Sequence, residues 1–139
     1  MKKRFSARSG RPAGQAVPEF AGVAAVFLLL LFAITEMGIV VYRYNSVSQA
    51  AREAARYAIV HGPTSVSPAT NDQIEGIAEG IAPFLTSTNF TTPFFVTDPN
   101  DTKQTDAKIS ISYSYAQTIP FMPSAALTFT TTSQMLVSR

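Results

Sequence analysis

Two acidic residues, set in and beside one long apolar run, are the groups in this chain whose surroundings suggest chemistry. Between Glu19 and Arg43 lie 23 residues that carry a single charge, that of Glu36. A bilayer core takes about 20 mostly apolar residues in a helix, so this run is long enough to span a membrane. A carboxylate at the edge of lipid is costly unless a partner compensates its charge. We therefore expect Glu19 to pair with a cation once the chain packs among other subunits.

Glu36 is the second acidic residue that needs an interpretation. It lies 17 positions after Glu19 and close to the end of the apolar run at Tyr42. One interpretation is that its side chain reaches the water interface on the outer side of the membrane. The other is that it pairs across a helix–helix contact in an assembled complex, since acidic groups within a membrane are candidates for function. The sequence leaves both open.

Residues able to hold a metal or to catalyse a reaction are few. The single histidine, His61, has no cysteine or clustered carboxylate beside it and is expected to be a polar group at a helix end. Four residues with oxygen ligands that calcium could use lie close together in the sequence: Asp98, Asn100, Asp101 and Asp106. They lack the glycine and the distal glutamate of an EF-hand, so a turn is the better interpretation. No Ser–His–acid set and no glycine-rich phosphate loop can be assigned. We therefore expect no enzyme, no metal and no cofactor.

Basic residues are concentrated at the N-terminus. Five of the 11 lysines and arginines precede residue 15, and none of the 9 acidic residues does. Residues 15–139 thus carry 6 basic and 9 acidic residues, a net charge of −3 at neutral pH. This distribution is typical of a targeting segment and does not indicate binding to nucleic acid. Because positive charges that flank a spanning helix stay in the cytoplasm, we expect residues 43–139 to lie outside.

The chain is expected to divide into a basic leader (1–14), a transmembrane helix (15–42) and an extracytoplasmic domain (43–139). No strong helix breaker occurs between Pro18, which suits a first turn, and Gly62-Pro63, which ends a helix. One helix should therefore run through the membrane and project beyond it. Its exit is marked by side chains that favour the membrane–water interface: Tyr42, Arg43 and Tyr44.

Beyond this exit the helix becomes amphipathic. Small apolar residues recur at spacings of three and four: Val47, Ala50, Ala51, Ala54, Ala55, Ala58 and Ile59. This alanine stripe is expected to cover the sheet of the domain, and part of it could pack on neighbouring subunits. Arg52 and Arg56 fall on the opposite side, which is ordinarily a solvated face. With Tyr57 they are also candidates for contacts with a partner.

The rest of the chain predicts a short second helix and a small antiparallel sheet. Thr70 and Gln73 have the spacing of a capping box at the start of that helix. The two longest strands alternate apolar and polar residues, so one face should pack on the alanine stripe. The predicted elements are a helix at 71–85, a polar loop at 86–92 and strands at 94–96, 108–119 and 127–137. The fold class is α+β: a long N-terminal helix on a small antiparallel sheet, plus a short second helix.

A family resemblance links these features. Gly14, with Glu19 five positions on and Phe20 next, resembles the processing site of type IV-like pilins, and the Glu–aromatic pair resembles their Flp/Tad (tight adherence) branch. Two later segments, 36–42 and 50–58, are similar to TadE-like pseudopilins. The resemblance implies that a prepilin peptidase cuts between Gly14 and Gln15. It also implies that Glu19 and Phe20 serve in subunit assembly, to which we add Glu36.

By this resemblance the chain is expected to be a minor pilin of a type IVc pilus, a single-pass protein of the bacterial inner membrane with a cytoplasmic N-terminus. Its partners would be the membrane, the prepilin peptidase, the major Flp pilin, other minor pilins and the inner-membrane assembly platform. Its role would lie in pilus assembly, adhesion and biofilm formation, with or without entry into the filament. Two alternatives stay open. One is an uncleaved single-pass protein whose outer domain binds a ligand or partner, and the other is an exported protein that loses an ordinary signal peptide.

Overall fold

A single long helix dominates the computed structural model, which describes residues 16–97, 105–117 and 126–137. Helix α1 runs over Ala16–Val60, 45 residues without a break. The predicted long N-terminal helix is therefore confirmed, although it begins two residues before Pro18. The predicted leader, residues 1–14, lies outside the described residues.

The C-terminal end of α1 packs closely against Val137, the residue that follows the last strand. The N–H of His61 still donates to the carbonyl of Tyr57, at 3.1 Å, and the helix ends there. Gly62 follows, and a Cβ on this residue would overlap the side chain of Val137. A residue without a side chain is therefore needed where the helix end meets the last strand of the sheet.

Helix α2 runs over Asn71–Ile81 and begins with the predicted capping box. The N–H of Gln73 donates to Thr70 Oγ1 at 3.3 Å, and the N–H of Thr70 donates to Gln73 Oε1 at 3.1 Å. The predicted end at residue 85 was wrong by one turn. Because Pro83 has no N–H to continue the helix, the chain leaves it there and Leu85 becomes buried in the core.

Four strands form one antiparallel sheet: β1 Phe90–Thr91, β2 Phe95–Thr97, β3 Thr105–Ala116 and β4 Ala126–Leu136. β3 is central, with β4 on one side and the two short strands on the other. The predicted loop at 86–92 was wrong in part, because Ser87–Asn89 form a 3-10 turn and β1 pairs with Ile111 and Ser110. The two long strands are confirmed, each beginning slightly earlier than predicted. Residues 118 and 119 of the predicted third strand lie outside the described residues.

The core lies between the alanine stripe of α1, helix α2 and the inner face of the sheet. Ile109 and Ile111 of β3 are fully buried, as the alternation predicted, and Ile74 and Ala78 bring in one face of α2. The members of the alanine stripe that are fully buried are Val47, Ala50, Ala51, Ala54, Ala55 and Ala58. Small side chains on α1 let the helix approach the sheet closely. The buried residues of α1 all lie in its C-terminal half, so the domain packs mainly there.

Candidate functional site

Residues 16–35 of α1, which we call the uncovered segment, carry no packing from the rest of the described chain. In its most apolar 18-residue window no residue is buried, and among the described helices α1 alone is long and apolar enough to cross a membrane. Eleven large apolar side chains from Val17 to Ile34 are exposed. Burying each would stabilise the chain by about 1.5–3 kcal/mol, so a covering of lipid or of other helices is strongly favoured. This segment is the candidate membrane and assembly surface.

Glu19 and Phe20 lie in the first turns of this uncovered segment. Glu19 is exposed and sits in the first turn of α1, where a negative charge interacts favourably with the helix dipole. The Phe20 side chain is 74% exposed. Both are therefore positioned for contact with something outside the chain. Gly14 and Gln15, the predicted cleavage site, lie outside the described residues, and their role stays a prediction.

Glu36 has a partner within the same chain that the sequence did not indicate. Tyr115 Oη, on β3, donates a hydrogen bond to Glu36 Oε2 at 2.8 Å. This bond raises the pKa of the Tyr115 hydroxyl, because ionisation would bring two negative charges into contact. Glu36 is half-buried and is the first residue of α1 on the face that the domain covers. The Glu36 carboxylate thus joins α1 to the end of the sheet at which β3 carries Tyr115, which we call the lower end.

Arg43, two turns further along α1, forms the centre of an aromatic cluster. Its guanidinium carbon lies 4.7 Å from the ring centroid of Phe84, 5.0 Å from that of Tyr115 and 5.6 Å from that of Tyr113. Arg43 Nη1 also donates to the hydroxyl of Tyr113. A cation over aromatic faces is stabilised by the quadrupoles of the rings. We call Glu36, Arg43, Phe84, Tyr113 and Tyr115 the junction cluster, because it joins α1, the turn after α2 and the sheet.

Removal of one hydroxyl from the junction cluster tests its contribution to stability. Tyr115→Phe deletes the donor to Glu36 and should lower the free energy of unfolding by about 1–2 kcal/mol. Because the pKa of Tyr115 is raised on folding, this stabilisation is present below the ordinary tyrosine range and is lost as the pH rises through the raised value. The loss of stability is measured as the urea concentration at which half of the protein in detergent becomes sensitive to protease. Tyr42→Phe, at a side chain that is 65% exposed, is the control and should leave the midpoint unchanged.

The three candidate partner-contact residues lie together on the outer side of α1. Arg52 and Arg56 are exposed and, with Gln49, Glu53, Ile81 and Met135, line a surface depression of about 460 Å³. Arg56 pairs with Glu53 at 3.5 Å, an exposed contact of little energetic weight. Tyr57 is half-buried and its ring stacks on His61 at 4.2 Å. The arginines are therefore accessible to a partner, whereas Tyr57 also packs against the core.

The residues considered for metal binding are described only in part. His61 Nδ1 lies 3.2 Å from the carbonyl of Tyr57 at the end of α1, a contact within the helix. Asp98, Asn100 and Asp101 lie outside the described residues. Asp106 is buried, and its Oδ2 accepts a hydrogen bond of 2.6 Å from Gln134. Within 16–97, 105–117 and 126–137 no three His, Cys, Asp or Glu side chains group as metal ligands would.

Comparison with known proteins bears on nearly the whole of α1. Residues 14–56 match the model of a family described as TadE-like protein. The resemblance to TadE-like proteins is thereby confirmed over Gly14, the uncovered segment and most of the alanine stripe. No curated protein and no solved structure matches the chain.

Proposed function

From the TadE-like character of residues 14–56, we propose that this chain is a minor pilin of a type IVc (Tad/Flp) pilus. It is anchored in the bacterial inner membrane by the first half of α1, with its N-terminus in the cytoplasm and residues 43–139 outside. A prepilin peptidase removes the leader after Gly14. The mature subunit then works with the major Flp pilin, other minor pilins and the inner-membrane assembly platform in pilus assembly, and through the pilus in adhesion and biofilm formation.

One observation carries this proposal: a single unbroken helix serves two environments. Its uncovered segment exposes mainly apolar side chains around Glu19, and its C-terminal part is the core helix of an α+β domain. The family match begins at Gly14, the residue after which we place the cleavage, and continues along this helix into the domain. A membrane anchor alone would not require a rigid continuation into the core. A subunit that must hold its domain in a fixed position above a packed helix would require such a rigid continuation.

The role that we propose is structural, without catalysis. The candidate contact surfaces are the uncovered helix with Glu19 and Phe20, and the depression beside Arg52 and Arg56. The first would meet other helices inside the membrane or filament. The second faces water and would meet a protein partner, which is also the surface that an uncleaved ligand-binding protein would use. Whether the leader is removed after Gly14 therefore distinguishes the minor pilin from the uncleaved ligand-binding protein.

Co-expression with a prepilin peptidase tests the proposed function. The intact mass of the purified chain should correspond to a protein that begins at Gln15. Gly14→Leu should abolish this processing, because a bulky side chain would not fit a peptidase pocket shaped for glycine. Gly10→Leu, a change of the same kind four residues upstream, should be processed normally. A wild-type chain that keeps its leader would favour the uncleaved single-pass protein. Normal processing of Gly14→Leu would show that cleavage does not depend on Gly14 and would contradict the proposed peptidase site.

A further inference from the structure

The lower end of the sheet lies beside α1 at a level that the sequence would place inside the membrane. β3 and β4, which we call the hairpin, pair as far as Ala116 and Ala126, the hairpin end, and Tyr115, one residue before this end, donates a hydrogen bond to Glu36. On α1, the face covered by the domain begins at Glu36 and continues through Val40 to the alanine stripe. A hydrocarbon boundary at Tyr42 would therefore immerse the end of this hairpin in lipid.

Backbone groups at the hairpin end make that immersion unfavourable. On one edge of β3, β1 reaches only to Ile111 and Asn89 Nδ2 donates to the carbonyl of Ser112, so within the described chain residues 113–116 pair with β4 alone. The outer edge of β4 has no strand partner among the described residues. Open sheet edges do not occur in the hydrocarbon of a bilayer, because each unsatisfied N–H or C=O there costs several kcal/mol. Water or headgroups must therefore reach both edges.

Side chains at the same level are also polar. The hydroxyls of Ser114 and Thr128 lie 2.7 Å apart on the exposed face of the hairpin. Arg43 places a positive charge beside Tyr113 and Tyr115, and such a combination is typical of the headgroup layer. The junction cluster and its surroundings therefore fit headgroups better than acyl chains.

The length of the uncovered helix is compatible with this boundary. From Phe20, the residue after Glu19, to Thr35 there are 16 residues, about 24 Å at 1.5 Å per residue, a length that a bilayer accommodates by modest local thinning. We propose that the hydrocarbon ends at Glu36, six residues earlier than the sequence suggests. The hairpin end of the domain, with Arg43 and Tyr44, then rests against the phospholipid headgroups. This proposal depends on the membrane anchoring in the proposed function.

The absence of tryptophan from the chain allows a direct measurement of depth. Single substitutions Met37→Trp, Tyr42→Trp and Leu127→Trp all fall at exposed side chains, and Val66→Trp, at a fully exposed site far along the chain from the junction, is the control. Each purified full-length variant is reconstituted into phosphatidylcholine vesicles that contain about 20% phosphatidylglycerol, which supplies anionic headgroups. The vesicles also contain lipids brominated at known carbons. Quenching by each brominated lipid gives the distance of the indole from the bilayer centre.

The expected result is an indole near the hydrocarbon edge for Met37→Trp, about 15 Å from the centre. The indole of Tyr42→Trp should lie about 7 Å further out, and that of Leu127→Trp should lie no deeper than that of Met37→Trp. Val66→Trp should not be quenched. If Tyr42→Trp reports the hydrocarbon edge and the other two lie deeper, the helix is anchored but the proposed seating is wrong. If none of the three is quenched, the chain does not span the bilayer and the anchoring itself is wrong.

Discussion

Ala54→Glu is expected to unfold the outer domain. Ala54 is completely buried in the middle of the alanine stripe, between α1 and the inner face of the sheet. A carboxylate there would be an unpaired buried charge, and uncompensated charges of this kind cost about 3–5 kcal/mol. Small domains are stable by only about 5–15 kcal/mol, so the loss would remove a large part of the stability. The variant should accumulate poorly and be degraded rapidly by added protease in detergent.

Gln49→Glu is the matched control for this substitution. It adds the same carboxylate to the same helix, but at an exposed position that borders Arg52 and Arg56. This variant should accumulate and resist protease like the wild type. If Ala54→Glu behaves in the same way as Gln49→Glu, the alanine stripe is not the buried face of α1 and the fold described above is incorrect.

The sequence predicts the elements whose signals are local. α1 could be located because breakers are absent until Gly62, and the start of α2 because Thr70 and Gln73 cap it. The alternation in β3 assigned Ile109 and Ile111 to the core face correctly. In each case the signal is a capping pair, the absence of breakers or a short periodicity, so a single segment contains all of it.

Features that depend on distant residues could not be predicted. β1 consists of two residues, and its strand conformation arises from pairing with β3 about twenty positions later. The bond between Tyr115 and Glu36 joins residues 79 positions apart, and alternation indicates only the face on which Tyr115 lies. The position of Glu36 at the edge of the domain therefore follows from the tertiary fold, and it changes the meaning of an acidic residue in an apolar run.

Glu19→Ala is expected to leave the chain in the membrane but to weaken its association with other pilins. After processing, the new amino group at Gln15 would lie four residues from Glu19, within about 6 Å along a helix. When the uncovered helix packs among others, Glu19 enters apolar surroundings, where the amino terminus of a neighbouring subunit would compensate its charge. A misaligned packing would leave both charges unpaired. Glu19 would therefore set the register between subunits.

The size of this effect follows from the cost of an unpaired buried charge. Loss of one partner from a buried charged pair costs about 2–5 kcal/mol, which corresponds to a fall in affinity of more than tenfold. Asp72→Ala is the matched control, because it removes an acidic residue from a water-exposed helix that lies outside both candidate contact surfaces. Asp72 is exposed in the first turn of α2. This control should change association little.

Co-purification from mild detergent tests the central claim most directly. Wild-type chain and Asp72→Ala should recover the major Flp pilin and other minor pilins in similar amounts. Glu19→Ala should recover less than a tenth as much, while remaining in the membrane fraction at wild-type level. Equal recovery of pilins by Glu19→Ala, with pili still formed, would show that Glu19 is only an interfacial charge. Failure of the wild-type chain to recover any pilin would contradict its assignment to the pilus machinery.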